Sequence, residues 1–380
     1  MAALRRHYGQ EIHIPGEGAM RAVIRRNKQL VCEEIPDLTP GPGQLLVRTL
    51  ACGICGSDLH ALHHMEHMIE TAARGNGGFA SGFDPTADTV FGHEFCAEVL
   101  DHGPGSTRTI RTGARVVSVP VTLTETGMES LGFSNRLPGG FAERMLLTEA
   151  MVLEVPNGLP TDQAALTEPF AVGEHAVAKA RLDRDSVCMV VGCGPVGLAV
   201  IAALKARGHG PVIATDYSPR RRAAAERLGA DLVIDPAQES PHARWDSYGV
   251  PVQRAAQSMA RMMGKSFGRP VVFECVGAPG ILQTLIEAAP SGGQIVVAGV
   301  CMETDKIEPA IAITKEMELT FVFGYTPDEF AHTLRQISDG IIDVSGVVTG
   351  KVGLEGVADA FVTLGDPEVH VKILVEPTRK

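Results

Sequence analysis

The chain has 380 residues, too many for one ordinary domain and enough for two. With 44% hydrophobic and 21% charged residues it can bury a large core, which excludes disorder by composition. Its 34 basic against 45 acidic residues give a net charge of −11 with no long basic run. That balance disfavours nucleic acid or an anionic membrane as partner and points to small molecules.

Residues 1–19 form a polar extension with two arginines and no apolar core of signal-peptide length, so a cytoplasmic location is expected. The first half then reads as mostly β. Short β-branched segments at Met20–Ile24, Gln44–Thr49 and Ala114–Val119 are separated by turns such as Thr39-Pro-Gly-Pro-Gly43. From Val187 the texture changes to alternation. Strand Val187–Val191, helix Pro195–Arg207, strand Val212–Thr215, helix Pro219–Leu228 and strand Leu232–Ile234 make a βαβ series. A polar stretch over 237–268 follows. Beyond it come strand Val271–Glu274, helix Ile281–Ala289, strands Gln294–Val300 and Leu319–Phe323, an amphipathic helix Asp328–Ile337 and a strand at Val371–Val375.

Two features invite other readings. Val187–Leu204 carries no charge over 18 residues, the lower limit for a membrane span, but Gly192, Gly194, Pro195 and Gly197 interrupt it as a strand, turn and helix start would. The eight cysteines are scattered through a long chain without secretion signals, so free thiols are expected rather than disulfides.

Strand Val187–Val191 runs into Gly192-Cys-Gly194-Pro195-Val196-Gly197, which opens a helix, and the next strand ends at Asp216, 19 residues after Gly197. That is the full dinucleotide fingerprint in its required context. Gly192 permits the turn, Gly194 admits the pyrophosphate, and Gly197 lets helix and strand pack closely. The helix N-terminus then favours the diphosphate. Asp216 would accept the adenosine ribose hydroxyls and repel a 2′-phosphate, which favours NAD over NADP. Arg220–Arg222 weaken that preference, since a guanidinium can hold such a phosphate; a solvated first turn of a helix accounts for them equally well.

Cys52-Gly-Ile-Cys55-Gly-Ser57-Asp58-Leu-His60 lies in the first half, and Gly92-His93-Glu94-Phe95 follows. Thiolate, imidazole and carboxylate are the donors of a catalytic zinc site, where three protein ligands leave a fourth position for substrate oxygen. Spacing alone leaves alternatives open: a CxxC redox pair, half a zinc knuckle, a buried thiol, a satisfied core histidine.

Together with Glu168-Pro-Phe-Ala-Val-Gly173 and Phe273-Glu-Cys-Val-Gly277, these motifs resemble the zinc-dependent medium-chain dehydrogenase/reductase family of alcohol and sorbitol dehydrogenases, over nearly all of Met20–Pro377. The resemblance implies an α/β fold: a Rossmann doubly wound parallel sheet plus a β-rich GroES-like catalytic domain. With the change of texture it places the catalytic domain at 1–173 and 325–380, the NAD-binding domain at 174–324, and a ligand cleft between them.

It also assigns roles. Cys55 and His93 match the thiolate and imidazole zinc ligands, Glu94 the glutamate beside that histidine that can enter or leave the zinc shell, and Glu168 the third-ligand position of the sorbitol-dehydrogenase-like branch, with the choice of direct ligand between the two glutamates left open. Asp58 matches the carboxylate that orients the ligating histidine, and Ser57 with His60 the proton relay. Arg221 matches a basic residue on the adenosine ribose, while Val276 and Ala298 match positions beside the nicotinamide. Relatives are dimers or tetramers, often joined through cofactor-domain edge strands, here Leu319–Phe323. The implied reaction is reversible hydride transfer between an alcohol or polyol and NAD.

Two departures stand out. Residues 101–187 contain no cysteine, so one zinc per chain and no structural zinc is expected. The segment before His93 is long, with His63-His64-Met-Glu-His67 and Gly75-Asn-Gly-Gly78. His60, His63, His64 and His67 fall at helical spacing, which admits a further metal site but reads better as a solvated helix face. Two rival functions remain: a zinc-free NADPH-dependent quinone or enone reductase of the same superfamily, and a dinucleotide-binding protein without turnover.

Overall fold

The computed structural model describes residues 18–75, 83–125, 127–156 and 158–379. Most of the polar extension and of the Gly75–Gly78 run lies outside the described residues. In chain order come β1 (Ala19–Arg26), β2 (Gln29–Pro36), β3 (Gln44–Gly53), α1 (Gly56–Arg74), β4 (Thr89–Val90), β5 (Glu94–His102) and β6 (Arg115–Ser118). Next are β7 (Val121–Thr124), β8 (Gly127–Ser130), β9 (Arg144–Thr148), β10 (Val152–Glu154), α2 (Thr161–Ala164) and α3 (Thr167–Lys179). The alternating part follows as β11 (Val187–Val191), α4 (Pro195–Ala206), β12 (Val212–Thr215), α5 (Pro219–Arg227), β13 (Leu232–Ile234) and α6 (Arg254–Met262). It continues through β14 (Pro270–Glu274), α7 (Ile281–Ala288), β15 (Gln294–Val297), α8 (Pro309–Lys315), β16 (Glu318–Phe321) and α9 (Pro327–Ser338). The chain closes with β17 (Gly350–Val352), α10 (Val357–Leu364) and β18 (Ile373–Val375).

Two compact units result. One runs to Glu168 and resumes over 348–366 and from Lys372, and the other holds 169–347 and 367–371. The second cut falls well past the expected 324/325. The reason is α9, which buries Phe330, Leu334 and Ile337 and belongs to the second unit with the sheet it follows.

The first unit is β-rich. Its main sheet has the order β10-β6-β5-β3-β18-β17 with β9 also on β3, beside a smaller sheet β2-β1-β4. Along β3 the residues Leu45, Val47, Thr49 and Ala51 are buried at period two, as one face of a strand requires. The returning α10 adds Val357 and Phe361 to the same core as Phe91 and Phe141. Val121–Thr124 and Gly127–Ser130 form the separate antiparallel pair β7–β8.

The second unit is a six-stranded parallel sheet in the order β13-β12-β11-β14-β15-β16. Its central strands β11, β12 and β14 are buried nearly throughout, as expected of a sheet covered on both faces. After β11 the chain builds outward to one side and then crosses to β14 on the other. The Gly192–Gly197 loop therefore sits at the topological switch point, where sheets of this kind bind ligands.

The polar stretch over 237–268 is not featureless. It contains α6, which is anchored by a polar side chain: Gln257 Nε2 donates to the carbonyls of Pro251 and Ser291, each at 2.9 Å. Its methionines Met259 and Met262, with Met263 just beyond, face outward at 65%, 89% and 66% exposure. The uncharged run 187–204 resolves into β11, the glycine loop and most of α4, and no described helix is long and apolar enough to cross a membrane. All eight cysteines are free thiols.

Candidate functional site

The register of two strands assembles the first cluster. β3 and β5 run antiparallel with Cys52 opposite Phe95 and Gly53 opposite Glu94. The residues just past one strand end therefore meet those at the start of the other. Gly92, at φ +100°, makes the turn into His93 in the left-handed region that glycine tolerates best. A side chain on it would also strike Phe141 and Cys52.

Ligating atoms of Cys55, His93 and Glu94 come within 4.8 Å of one another, the one such group of three among the described residues. Cys55 sits at the N-cap of α1, half-buried, while His93 and Glu94 are buried. Asp58 is fully buried, accepts the Cys55 backbone N–H at 2.9 Å on Oδ2, and holds Oδ1 3.4 Å from His93 Nδ1. On the other side of the ring, His93 Nε2 lies 3.4 Å from Ser57 Oγ. Phe133 forms a wall, its ring centroid 5.4 Å from that of His93.

These neighbours tune the groups. Burial opposes charge on His93, but the Asp58 carboxylate and the Cys55 sulfur outweigh it and hold the imidazole well above its ordinary range. Burial, then Asp58 and Glu94, push Cys52 well up. Cys52 thus stays a neutral thiol packed against Gly92 and Gly140. His60 is lowered by burial and then by His64, so its imidazole is neutral near pH 7.

Ser57 bonds His93, and His60 stands one turn further along α1. Of the histidine series, His63, His64 and His67 are exposed, and with His60 they do not gather into a three-ligand group among the described residues. Glu168 lies buried in the first turn of α3. It falls outside the close trio, but its charge reaches Lys372, the residue that sequence reasoning missed. Lys372 is 1% exposed, pairs with Glu94, and donates to the Ile54 carbonyl at 3.0 Å. The only hint in the sequence is a lysine inside the apolar run Val371–Val375.

The donor set fits zinc. Sulfur, imidazole and carboxylate converge, and His93 Nδ1 faces a carboxylate that can take its N–H, the usual support for a ligating histidine.

The second cluster is the loop after β11. Gly192 has φ +90°, and a Cβ on Gly197 would collide with the Gly192 carbonyl, so α4 can approach only without it. A Cβ on Gly194 would meet only the Arg221 guanidinium, at ordinary contact distance. Pro195 and Val196 open α4, no side chain caps it, and its first N–H groups are left to an anion. Asp216 is braced by the N–H groups of Cys193 and Ser218, each at 2.8 Å, and Arg221 Nη1 is 3.9 Å from it.

Arg221 Nε is buried without a partner, an orphan donor that suits a nucleotide. Val276 and Ala298 follow the neighbouring strands β14 and β15. Glu274, also missed in the sequence, secures both: its carboxylate accepts the N–H groups of Val276 and Gly277 at 2.6 and 2.8 Å, and its carbonyl accepts that of Ala298 at 2.9 Å. Dinucleotide fits this loop.

Family models match parts of both units. Residues 41–157 match the model for the alcohol dehydrogenase GroES-like domain, and residues 195–339 that for the zinc-binding dehydrogenase. The (R,R)-butanediol dehydrogenase of Bacillus subtilis (strain 168) is 31% identical over 365 residues, 92% of this chain and 97% of its own. The crystal structure of 2R,3R-butanediol dehydrogenase from Bacillus subtilis aligns with a TM-score of 0.74 at 30% identity, covering 94% of this chain and 100% of that one. Sorbitol dehydrogenase of Bos taurus is 28% identical over 90% of this chain and 91% of its own. A structure from Sinorhizobium meliloti 1021 that holds NADP aligns with a TM-score of 0.76 at 25% identity, over 95% and 100% of the two chains.

Proposed function

Since the chain belongs to the zinc-binding medium-chain dehydrogenase family, we propose that it transfers hydride reversibly between a small secondary alcohol of the diol or polyol class and NAD. The observation that carries this is the convergence of Cys55, His93 and Glu94 within 4.8 Å, with Asp58 behind the imidazole. The substrate class rests on relatives named for butanediol and sorbitol.

Cys55 and His93 would hold the zinc, with Glu94 or Glu168 as third ligand. A bound zinc supplies Lewis-acid polarisation of the substrate oxygen, and the dinucleotide supplies the hydride acceptor. The remaining work falls to the chain. Asp58, with Oδ1 3.4 Å from His93 Nδ1, would accept the Nδ1–H and so fix the ring with Nε2 toward the cluster. The Ser57 hydroxyl stands beside Nε2, placed to receive the substrate's proton, and neutral His60 can carry it onward. Asp216, held by two backbone N–H groups, would accept ribose hydroxyls and repel a 2′-phosphate, and Arg221 would hold the nucleotide. Val276 and Ala298, fastened by Glu274, would limit the nicotinamide.

The outer strand β16 leaves Phe321 and, just beyond it, Phe323 exposed at 69% and 76%. An apolar open edge of this kind needs covering, which supports a homodimer or homotetramer.

Metal analysis with NAD and NADP reduction, screened over 2,3-diols, hexitols and simple alcohols, tests the reading. One zinc per chain and NAD reduction by a diol or polyol is the expected result. A zinc-free chain that reduces quinones with NADPH would overturn it, as would no turnover with zinc and NAD both bound.

A further inference from the structure

Phe133, the wall beside His93, stands in the irregular stretch between β8 and β9. It is 7% exposed, its ring centroid 5.4 Å from that of His93 and 6.0 Å from that of Phe91. The two residues after it fasten this stretch in two directions. Ser134 Oγ donates to Glu129 Oε2 on β8 at 2.8 Å and accepts the N–H groups of Arg136 and Leu137 at 3.0 and 3.1 Å. Asn135 reaches instead to the far end of the long segment that precedes His93. Its Oδ1 accepts the Asp84 N–H at 2.8 Å, and its Nδ2 lies 3.1 Å from the Asp84 carbonyl, 3.3 Å from that of Asp88 and 3.2 Å from Thr89 Oγ1. One side-chain amide thus pairs with the backbone of 84–89 through both its donor and its acceptor. That backbone is anchored in turn. Arg26 forks onto the Asp88 carboxylate at 2.9 and 2.7 Å, and Arg25, 2% exposed, donates to the Pro85 carbonyl.

We propose that Asn135 is a positioning residue for substrate choice: by tying 131–138 to 84–89 it fixes Phe133 beside the imidazole, so that the site takes alcohols with short alkyl neighbours and turns away bulky ones. This rests on the dehydrogenase reading and narrows its substrate class to short-chain diols. A ring packed against His93 fills the space that a large substituent on the carbinol carbon would need, while its apolar face suits a methyl group. An irregular loop keeps a ring in such a place only when the residues around it are tied down. Asn135 itself belongs to neither the metal cluster nor the dinucleotide loop.

Steady-state kinetics with 2,3-butanediol and 1-phenyl-1,2-ethanediol reads this as the ratio of their kcat/KM values. Wild type should favour the butanediol. In Asn135→Ala the ratio should fall by about 10-fold or more, the scale on which an apolar wall tells substituents apart, chiefly through a lower KM for the phenyl diol. Zinc content and NADH affinity should hold. Phe133→Ala should lower the ratio as far, and adding Asn135→Ala to it should lower it no further, because the two act through one ring. Asn135→Asp, which keeps the acceptor for the Asp84 N–H and loses the Nδ2 donors, should fall between wild type and Asn135→Ala.

An unchanged ratio in Asn135→Ala, an equal loss on both diols, zinc lost from that variant, or effects that add in the double variant each overturn the proposal. If Asn135→Ala does not fold, Asn135→Asp decides, and an unchanged ratio there overturns the proposal as well. No turnover of either diol by the wild-type chain with zinc and NAD both bound overturns the reading of the site and this inference together. Turnover with a wild-type preference for the phenyl diol overturns the inference alone.

Discussion

Gly53 and Glu94 face one another across β3 and β5, and the absent side chain of Gly53 is what admits the Glu94 carboxylate. A Cβ there would fall well inside contact distance of Glu94 Oε2 and 2.8 Å from Lys372 Cε. Gly53→Ala should therefore cost about 1–3 kcal/mol, as overpacking of a close-fitted interior does. Urea unfolding of the zinc-loaded protein measures it, and an unchanged midpoint would show that the carboxylate moves aside freely.

Cys55→Ala removes the sulfur donor while leaving the glycine loop of the other unit untouched. Zinc content should drop to background and turnover with it, while NADH binding, followed by fluorescence titration, stays within about twofold, the size of ordinary context effects of a few tenths of a kcal/mol. Loss of NADH binding together with zinc would contradict separate roles for the two clusters.

Asp216 braces the loop through the N–H groups of Cys193 and Ser218, and under the proposed function it also repels a 2′-phosphate. Asp216→Ala should weaken NAD binding by about 10- to 100-fold, the worth of charged hydrogen bonds, and shift the NAD:NADP ratio of kcat/KM toward NADP. Steady-state kinetics with both cofactors checks this, and an unchanged ratio removes Asp216 from cofactor choice.

His242 is lowered from 6.5 to about 4 by burial and then by Lys315. Between these values the unfolded chain binds a proton that the folded chain refuses, so stability is full above pH 6.5 and declines toward pH 4. The loss amounts to at most about 3 kcal/mol. The stability difference between wild type and His242→Phe should change with pH across that window, favouring the variant in acid. A difference independent of pH would place His242 outside the acid response.

The parallel sheet was legible because each strand and helix there carries its own local period, and the Gly192–Gly197 loop because its three glycines stand between a strand and a helix with Asp216 ending the next strand. Cys55, Ser57, Asp58, His93 and Glu94 stood out only through the family resemblance of their motifs, since spacing alone left a redox pair, a zinc knuckle or a buried thiol open. Lys372 did not stand out: a lysine reads as solvent-facing until long-range pairing of β18 with β3 buries it beside residues more than 300 positions earlier. Glu274 escaped for the opposite reason, since its bonds to the next two residues but one look like any turn. The helix α6 was missed because its apolar stripe does not point inward and its anchor is a glutamine. The unit boundary past α9 depends on which neighbour takes an amphipathic face, and periodicity does not name the neighbour.

That outward stripe on α6 has a chemical consequence. Met259, Met262 and Met263 are the thioethers most open to solvent in that segment, so mild peroxide should convert them to sulfoxides first and turn a greasy ridge polar. The core methionines Met20, Met65, Met145 and Met189, at 2% exposure or less, are sheltered from the reagent until the chain opens. The pattern of oxygen uptake along the chain would then serve as a clock of unfolding.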